Sequence, residues 1–191
     1  MKERWCILIV LLLSFTACNS DKARNEDGQS PYAHKVSQGN PHFDLPDIQQ
    51  NGELIVLTLY GPESYFEFRG EDFGLQFMIA RQYAKSIGAS IRVDVSRDMK
   101  DLVTKLQNGE GDFVAFQIDK VDSLSSLLDY VGEKELFTFM DSLSRQRKDD
   151  SRRPRPRAAW AVRKDSPLLS ASLSQWMTTH QKEFFDYTTI R

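Results

Sequence analysis

Cysteine is almost absent from this chain. The two that occur, Cys6 and Cys18, both lie near the amino terminus, so no disulfide framework is available and the folded part has to be held by packing. Long apolar runs are missing as well: the longest, Trp5–Leu13, is too short to cross a bilayer. Histidine occurs three times, and His34 and His42 have no Cys, Asp or Glu at ligand spacing, which argues against a metal site. No cofactor is implied. Positive charge is not in excess either. With 25 Lys and Arg against 27 Asp and Glu, the net charge is -2, and a chain without a cationic surplus is not expected to bind nucleic acid. No internal repeat is visible.

What is present begins with a processing signal. Lys2 and Arg4 precede the apolar run, and Phe15-Thr16-Ala17-Cys18 resembles a lipobox, so residues 1–17 read as a signal peptide and Cys18 as the lipidated first residue of the mature chain. The alternatives are a plain secretory signal with an incidental Cys18, or a membrane anchor. Acyl chains on Cys18 would make a membrane the first partner, at about 0.8 kcal/mol per buried methylene. Residues 18–46 are rich in Gly, Ser, Pro, Asn and charge, the composition of a flexible tether.

From Glu53 the pattern changes. Glu-Leu-Ile-Val-Leu-Thr-Leu-Tyr (53–60), Ser-Ile-Arg-Val-Asp-Val (90–95) and Asp-Phe-Val-Ala-Phe-Gln-Ile (112–118) read as strands, separated by amphipathic helices over 74–88 and 98–109. Strands joined through helices need crossovers, which give parallel pairing, so the fold class is α/β with an open, mostly parallel sheet flanked by helices. Leu75, Ile79, Tyr83 and Ile87 form one core stripe, with Gly88 suited to the C′ position. Met99, Leu102, Val103 and Leu106 form another, behind an N-terminal cap from Asp98 with Asp101. Ligands of such sheets sit beyond the carboxyl ends of the strands. That rule selects two loops, Tyr60–Gly74 and Gln117–Leu124.

The run Thr58-Leu59-Tyr60-Gly61-Pro62-Glu63-Ser64-Tyr65-Phe66, then Phe68-Arg69-Gly70-Glu71, a helix opened by Gly74, and Asn108-Gly109-Glu110-Gly111-Asp112 resembles the family 3 extracellular solute-binding fold. More narrowly, it is similar to the non-catalytic amino-terminal module of membrane-bound lytic murein transglycosylase F. The resemblance covers roughly residues 53–133 and 158–187. It implies a single lobe of the type II periplasmic-binding-protein kind and nominates Tyr60, Ser64, Tyr65 and Gln117 as ligand contacts. The plainer alternative is that Tyr65, Phe66 and Phe68 only cover the end of the sheet. Glu63-Ser64 echoes the catalytic pair of lytic transglycosylases, but it lies in a loop beside Pro62, and no catalytic residue is expected.

Two departures from the family pattern shape the functional expectation. The family fixes an α-carboxylate with Thr-x-x-Arg after the third strand, and an arginine fork suits that task. An ungapped fit places Val121 and Leu124 at those positions, and neighbouring Lys120 lacks the fork. The family's return segment is present as Trp160–Leu169, with Ser166 expected as N-cap and Pro167 at the first helical position. Too few residues separate the two crossings to build a second lobe of ~100 residues. The domain is therefore expected over 47–191, with a core of 53–118 and 158–187 and with 119–157 as a shortened remnant. That remnant contains a short helix over 134–144 and an arginine-rich linker over 145–157. His180 reads as a surface residue near a helix end.

These readings predict a non-catalytic envelope lipoprotein with a binding or regulatory role linked to the cell wall, its partner a protein, a peptidoglycan fragment or a second copy. The alternatives are an amino-acid or muropeptide-binding protein of a transporter or sensor, and a truncated lytic transglycosylase without its catalytic domain.

Overall fold

A computed structural model describes residues 43–120, 122–146 and 158–188. Cys18, His34, His42, Val121 and most of the arginine-rich run lie outside them.

The folded unit opens with helix α1 (Leu45–Asn51). Asp44 accepts from the backbone of Leu45, Asp47 completes a capping box, Pro46 sits in the first turn and Gly52 closes the helix in the left-handed conformation. Residues 43–46, expected in the tether, are therefore part of the fold. Their polar composition concealed this, because the contribution of Asp44 is a buried cap and the apolar anchor of α1, Ile48, lies further on.

Five strands form the main sheet in the order β4-β1-β5-β7-β6. Strands β1 (Glu53–Leu59), β4 (Ser90–Ser96) and β5 (Phe113–Asp119) pair in parallel, as expected from the helices α2 (Leu75–Ser86) and α3 (Met99–Gln107) between them. Strand β7 (Ala158–Arg163) runs antiparallel to both β5 and β6 (Leu128–Val131). Four strands thus point one way and β7 runs against them, making the sheet mixed although mostly of one direction. The carboxyl ends of those four strands share one edge with the amino end of β7.

Helices cover both faces. Ile48 of α1, Ile79, Ala80 and Tyr83 of α2, Leu136, Phe139 and Met140 of α5 (Glu133–Gln146), and Leu169, Leu173 and Trp176 of α6 (Pro167–His180) pack on one side. Leu102, Val103 and Leu106 of α3 pack on the other, against Leu57, Val114 and Ile118. Residues Leu54 to Thr58 of β1 are all buried, as a strand covered on both faces requires. The predicted stripe on α2 has Ile79 and Tyr83 at its centre, with Leu75 and Ile87 at the margin. Gly88 takes the expected positive φ of 77°. Asp98 caps α3 through the backbone N–H of Asp101.

Besides α1 and β6, two further elements were not read from the sequence. The loop after β1 contains a small hairpin, β2 (Phe66–Phe68) and β3 (Glu71–Phe73), and a one-turn helix α4 (Asp122–Ser125) precedes β6. Ser166 does sit before α6, but its side chain does not cap the helix. The cap comes from Asp44, whose carboxylate accepts from Leu168 N at 2.8 Å and Leu169 N at 2.7 Å. The Ser166 hydroxyl instead donates to Phe43 O. Arg163, buried at the end of β7, binds the carbonyls of Gly111 and Phe43 and the Asp165 carboxylate. This clasp joins the amino-terminal segment to the return strand at the amino edge of the sheet.

Candidate functional site

The two nominated loops converge at the carboxyl edge. Leu57 of β1 lies opposite Val114 of β5, and the Thr58 hydroxyl donates to Ala115 O at 3.0 Å. The same offset carried forward sets Tyr60 level with Gln117. Gln117 lies in a stretch of β5 where the register with β7 shifts between Val114 and Ile118, an irregularity of the kind that re-aims side chains next to functional sites.

Tyr60 is 69% exposed, so its ring is presented to solvent at the mouth of this edge. Ser64 is buried, and its hydroxyl donates inward to Leu59 O at 2.7 Å. It therefore holds the loop rather than facing outward. Tyr65 packs its ring edge-on against Phe77 and donates its hydroxyl to Asp72 Oδ1 at 2.6 Å. That hydrogen bond, with burial and the Asp72 charge adding to it, pushes the Tyr65 phenol up to about 12. The phenol is thus a fixed, neutral group. Glu63 is exposed in a turn, outside any helix and without the apolar setting that a glycosidic acid needs.

The backbone of this loop seats helix α2. Glu63 O accepts from Gln76 N and Ser64 O from Phe77 N, which occupies amides that a helix N-terminus would otherwise offer to an anion. Gly74 makes the seat close enough: its φ is 125°, and a Cβ there would run into the Ser64 carbonyl. Beneath the loop, Gln76 Oε1 accepts from Trp160 Nε1 at 2.9 Å. Nothing in the sequence pattern marked Gln76, since a lone glutamine in a helix reads as surface.

On the other loop, Leu124 is half-buried and packs against the second core cluster, so this position presents an apolar side chain that offers nothing to a carboxylate. Lys120 pairs with Glu133 Oε2 at 3.2 Å and lies over the Tyr130 ring. Its charge is already matched. His180 is not a plain surface residue: its ring stacks on Trp176 with centroids 4.7 Å apart.

No protein-family model matches the chain. Solved structures resemble it in fold. Domain 1 of TmArgBP in its arginine-bound form gives a TM-score of 0.54 at 15% identity, covering 70% of this chain and 97% of that one. An amino acid ABC transporter substrate-binding protein from Streptococcus pneumoniae, bound to L-arginine, gives 0.56 at 16% identity, with 75% and 95% covered. An ancestral cyclohexadienyl dehydratase gives 0.59 at 14%, with 75% and 93% covered. The fold therefore occurs in binding proteins and in an enzyme alike, and the described residues share the α/β fold of these structures.

Proposed function

We propose that the chain is a non-catalytic binding lobe that takes a small amino-acid-derived ligand, of the muropeptide class, at the carboxyl edge of its sheet. The observation that carries this reading is the exposed ring of Tyr60 at an edge where four co-directed strands end, in a fold that amino-acid-binding proteins share. An exposed aromatic ring offers a stacking platform that a sugar or peptide plane can use. Leu124 and the paired Lys120 argue against a ligand gripped by a free carboxylate, because a buried carboxylate without a cation carries a large desolvation cost. The ligand on this reading is an amide-rich conjugate rather than a free α-amino acid.

Cys18 anchors the lobe to a bacterial membrane by lipid, on the envelope side, and the amino-terminal segment works as a tether. On the family resemblance, residues 119–157 are the shortened remnant of a second lobe, and the chain lacks a catalytic role of its own. Among the described residues no helix is long and apolar enough to cross a membrane. The likeness to the transglycosylase F module links the ligand to the cell wall.

A second reading is a protein partner or second copy covering the same edge, favoured by the exposure of Phe68 on the hairpin tip together with Tyr60. A thermal-shift screen with amino acids, short peptides and muropeptides separates the two. At one hundred times the dissociation constant a ligand adds about 2.7 kcal/mol of stability. Muropeptides are expected to raise the melting temperature while free amino acids leave it unchanged; a shift with free arginine or another α-amino acid would refute the argument from Leu124.

A further inference from the structure

Gln76 is a buried primary amide whose donors are unspent. The residue is 4% exposed, and its Oε1 is held by the Trp160 indole N–H. An indole nitrogen can only donate, so the carbonyl end of the amide must face Trp160 and the orientation of the group is fixed by chemistry. The nitrogen end, with two N–H donors, has no hydrogen-bond partner among the described residues. Within a residue otherwise buried, this nitrogen is still reached by solvent, so an oriented pair of donors is open to an acceptor from outside the lobe. Ser96 Oγ, Tyr130 OH and Arg81 Nε are the unpartnered side-chain atoms sealed from solvent among the described residues, and no second hydrogen bond of the same side chain aims them.

Gln76 lies under the first of the two loops. Its own backbone N–H is taken by Glu63 O, directly beneath the loop carrying Tyr60 and Tyr65. Trp160, its partner, lies on β7 between Ala159 and Ala161, alongside the irregular stretch of β5 that holds Gln117. A neutral amide donates without neutralising charge, so it matches a neutral carbonyl oxygen rather than a carboxylate. Resting on the ligand-binding reading above, we propose that Gln76 is a specificity-determining contact of this edge: Nε2 donates to the amide carbonyl of the ligand, either the acetamido group of an amino sugar or a peptide carbonyl. Trp160 is its positioning residue.

The test is calorimetric titration of the full chain with an N-acetylglucosaminyl-N-acetylmuramyl dipeptide and with its N-deacetylated counterpart. Gln76→Glu keeps an acceptor for Trp160 and removes both donors. It is expected to weaken binding of the acetylated ligand by about tenfold or more. Loss confined to the acetylated ligand assigns the acetamido carbonyl, and equal loss with both ligands assigns the peptide carbonyl. Unchanged affinity in Q76E, with the wild type binding, overturns the role of Gln76 and leaves the ligand-binding reading standing; absence of binding by the wild type overturns both. Should Q76E fail to fold, the double variant Gln76→Met with Trp160→Phe removes both ends of the hydrogen bond together and puts the same question to a chain without an unpaired indole.

Discussion

Burial pushes the Asp112 carboxyl up to about 6, against the opposing effects of the Ile55 amide, whose N–H reaches Asp112 Oδ2 at 2.7 Å, and of the Arg163 cation. Because the folded value exceeds the ordinary 3.8, the folded chain holds this proton more tightly than the unfolded chain does. Its contribution to stability is therefore fully present below about pH 4 and is lost as pH rises through 6. A displacement of about two pH units corresponds to roughly 3 kcal/mol. Asp112→Asn keeps an acceptor for Ile55 and cannot ionise. Urea denaturation of both proteins between pH 3.5 and 7.5 is expected to show the wild type losing about 2–3 kcal/mol relative to D112N; parallel pH profiles would contradict the assignment. The sequence reading opens the third strand at Asp112, one residue before β5 begins. Its burial was not legible, because that depends on Arg163 arriving from the far end of the chain. Asp44 teaches the same lesson, since its two main partners are Leu168 and Leu169. Asp44→Ala leaves both of those amides and the Leu45 N–H without their acceptor, and a loss of about 2–4 kcal/mol is expected in thermal or urea unfolding. A loss below about 0.5 kcal/mol would place the capping elsewhere.

Elements with strong periodicity were readable and short ones were not. Helices α2 and α3 announce themselves through apolar residues three and four apart and through local caps, which are properties of contiguous sequence. The hairpin strands are three residues each, too short for an alternating pattern to stand out. Strand β6 is four residues long and owes its place to pairing with β7 from beyond α5. The seat of α2 under the Glu63-Ser64 turn is likewise non-local in its steric demand. Gly74→Ala adds a side chain at φ 125° against the Ser64 backbone, which combines strain with overlap, and a destabilisation of about 3 kcal/mol or more is expected. Gly52→Ala has a positive φ but open space around the new carbon. It is expected to cost only about 1 kcal/mol, and equal costs at the two sites would show that the Ser64 contact contributes nothing.

At the scale of the whole molecule, the sheet has two edges with different occupations. The amino edge is closed by the clasp of Phe43, Asp44, Arg163 and Ser166, so the chain enters the fold at the end opposite the loops. The carboxyl edge carries the exposed Tyr60, the irregular stretch with Gln117 and the half-satisfied amide of Gln76. Direction of the strands was enough to nominate this edge from the sequence. The inward turn of Ser64 and the engagement of Tyr65 with Asp72 were not, since both depend on how the hairpin folds back. The most direct test of binding at this edge is residue-resolved amide chemical-shift mapping of the isotopically labelled chain during titration with a muropeptide. The largest shifts are expected on residues 60–65, on Gln117 to Lys120 and on the Gln76 side-chain amide. Shifts gathered instead around Gly111, Arg163 and the start of α6, or none at saturating ligand, would contradict binding at this edge.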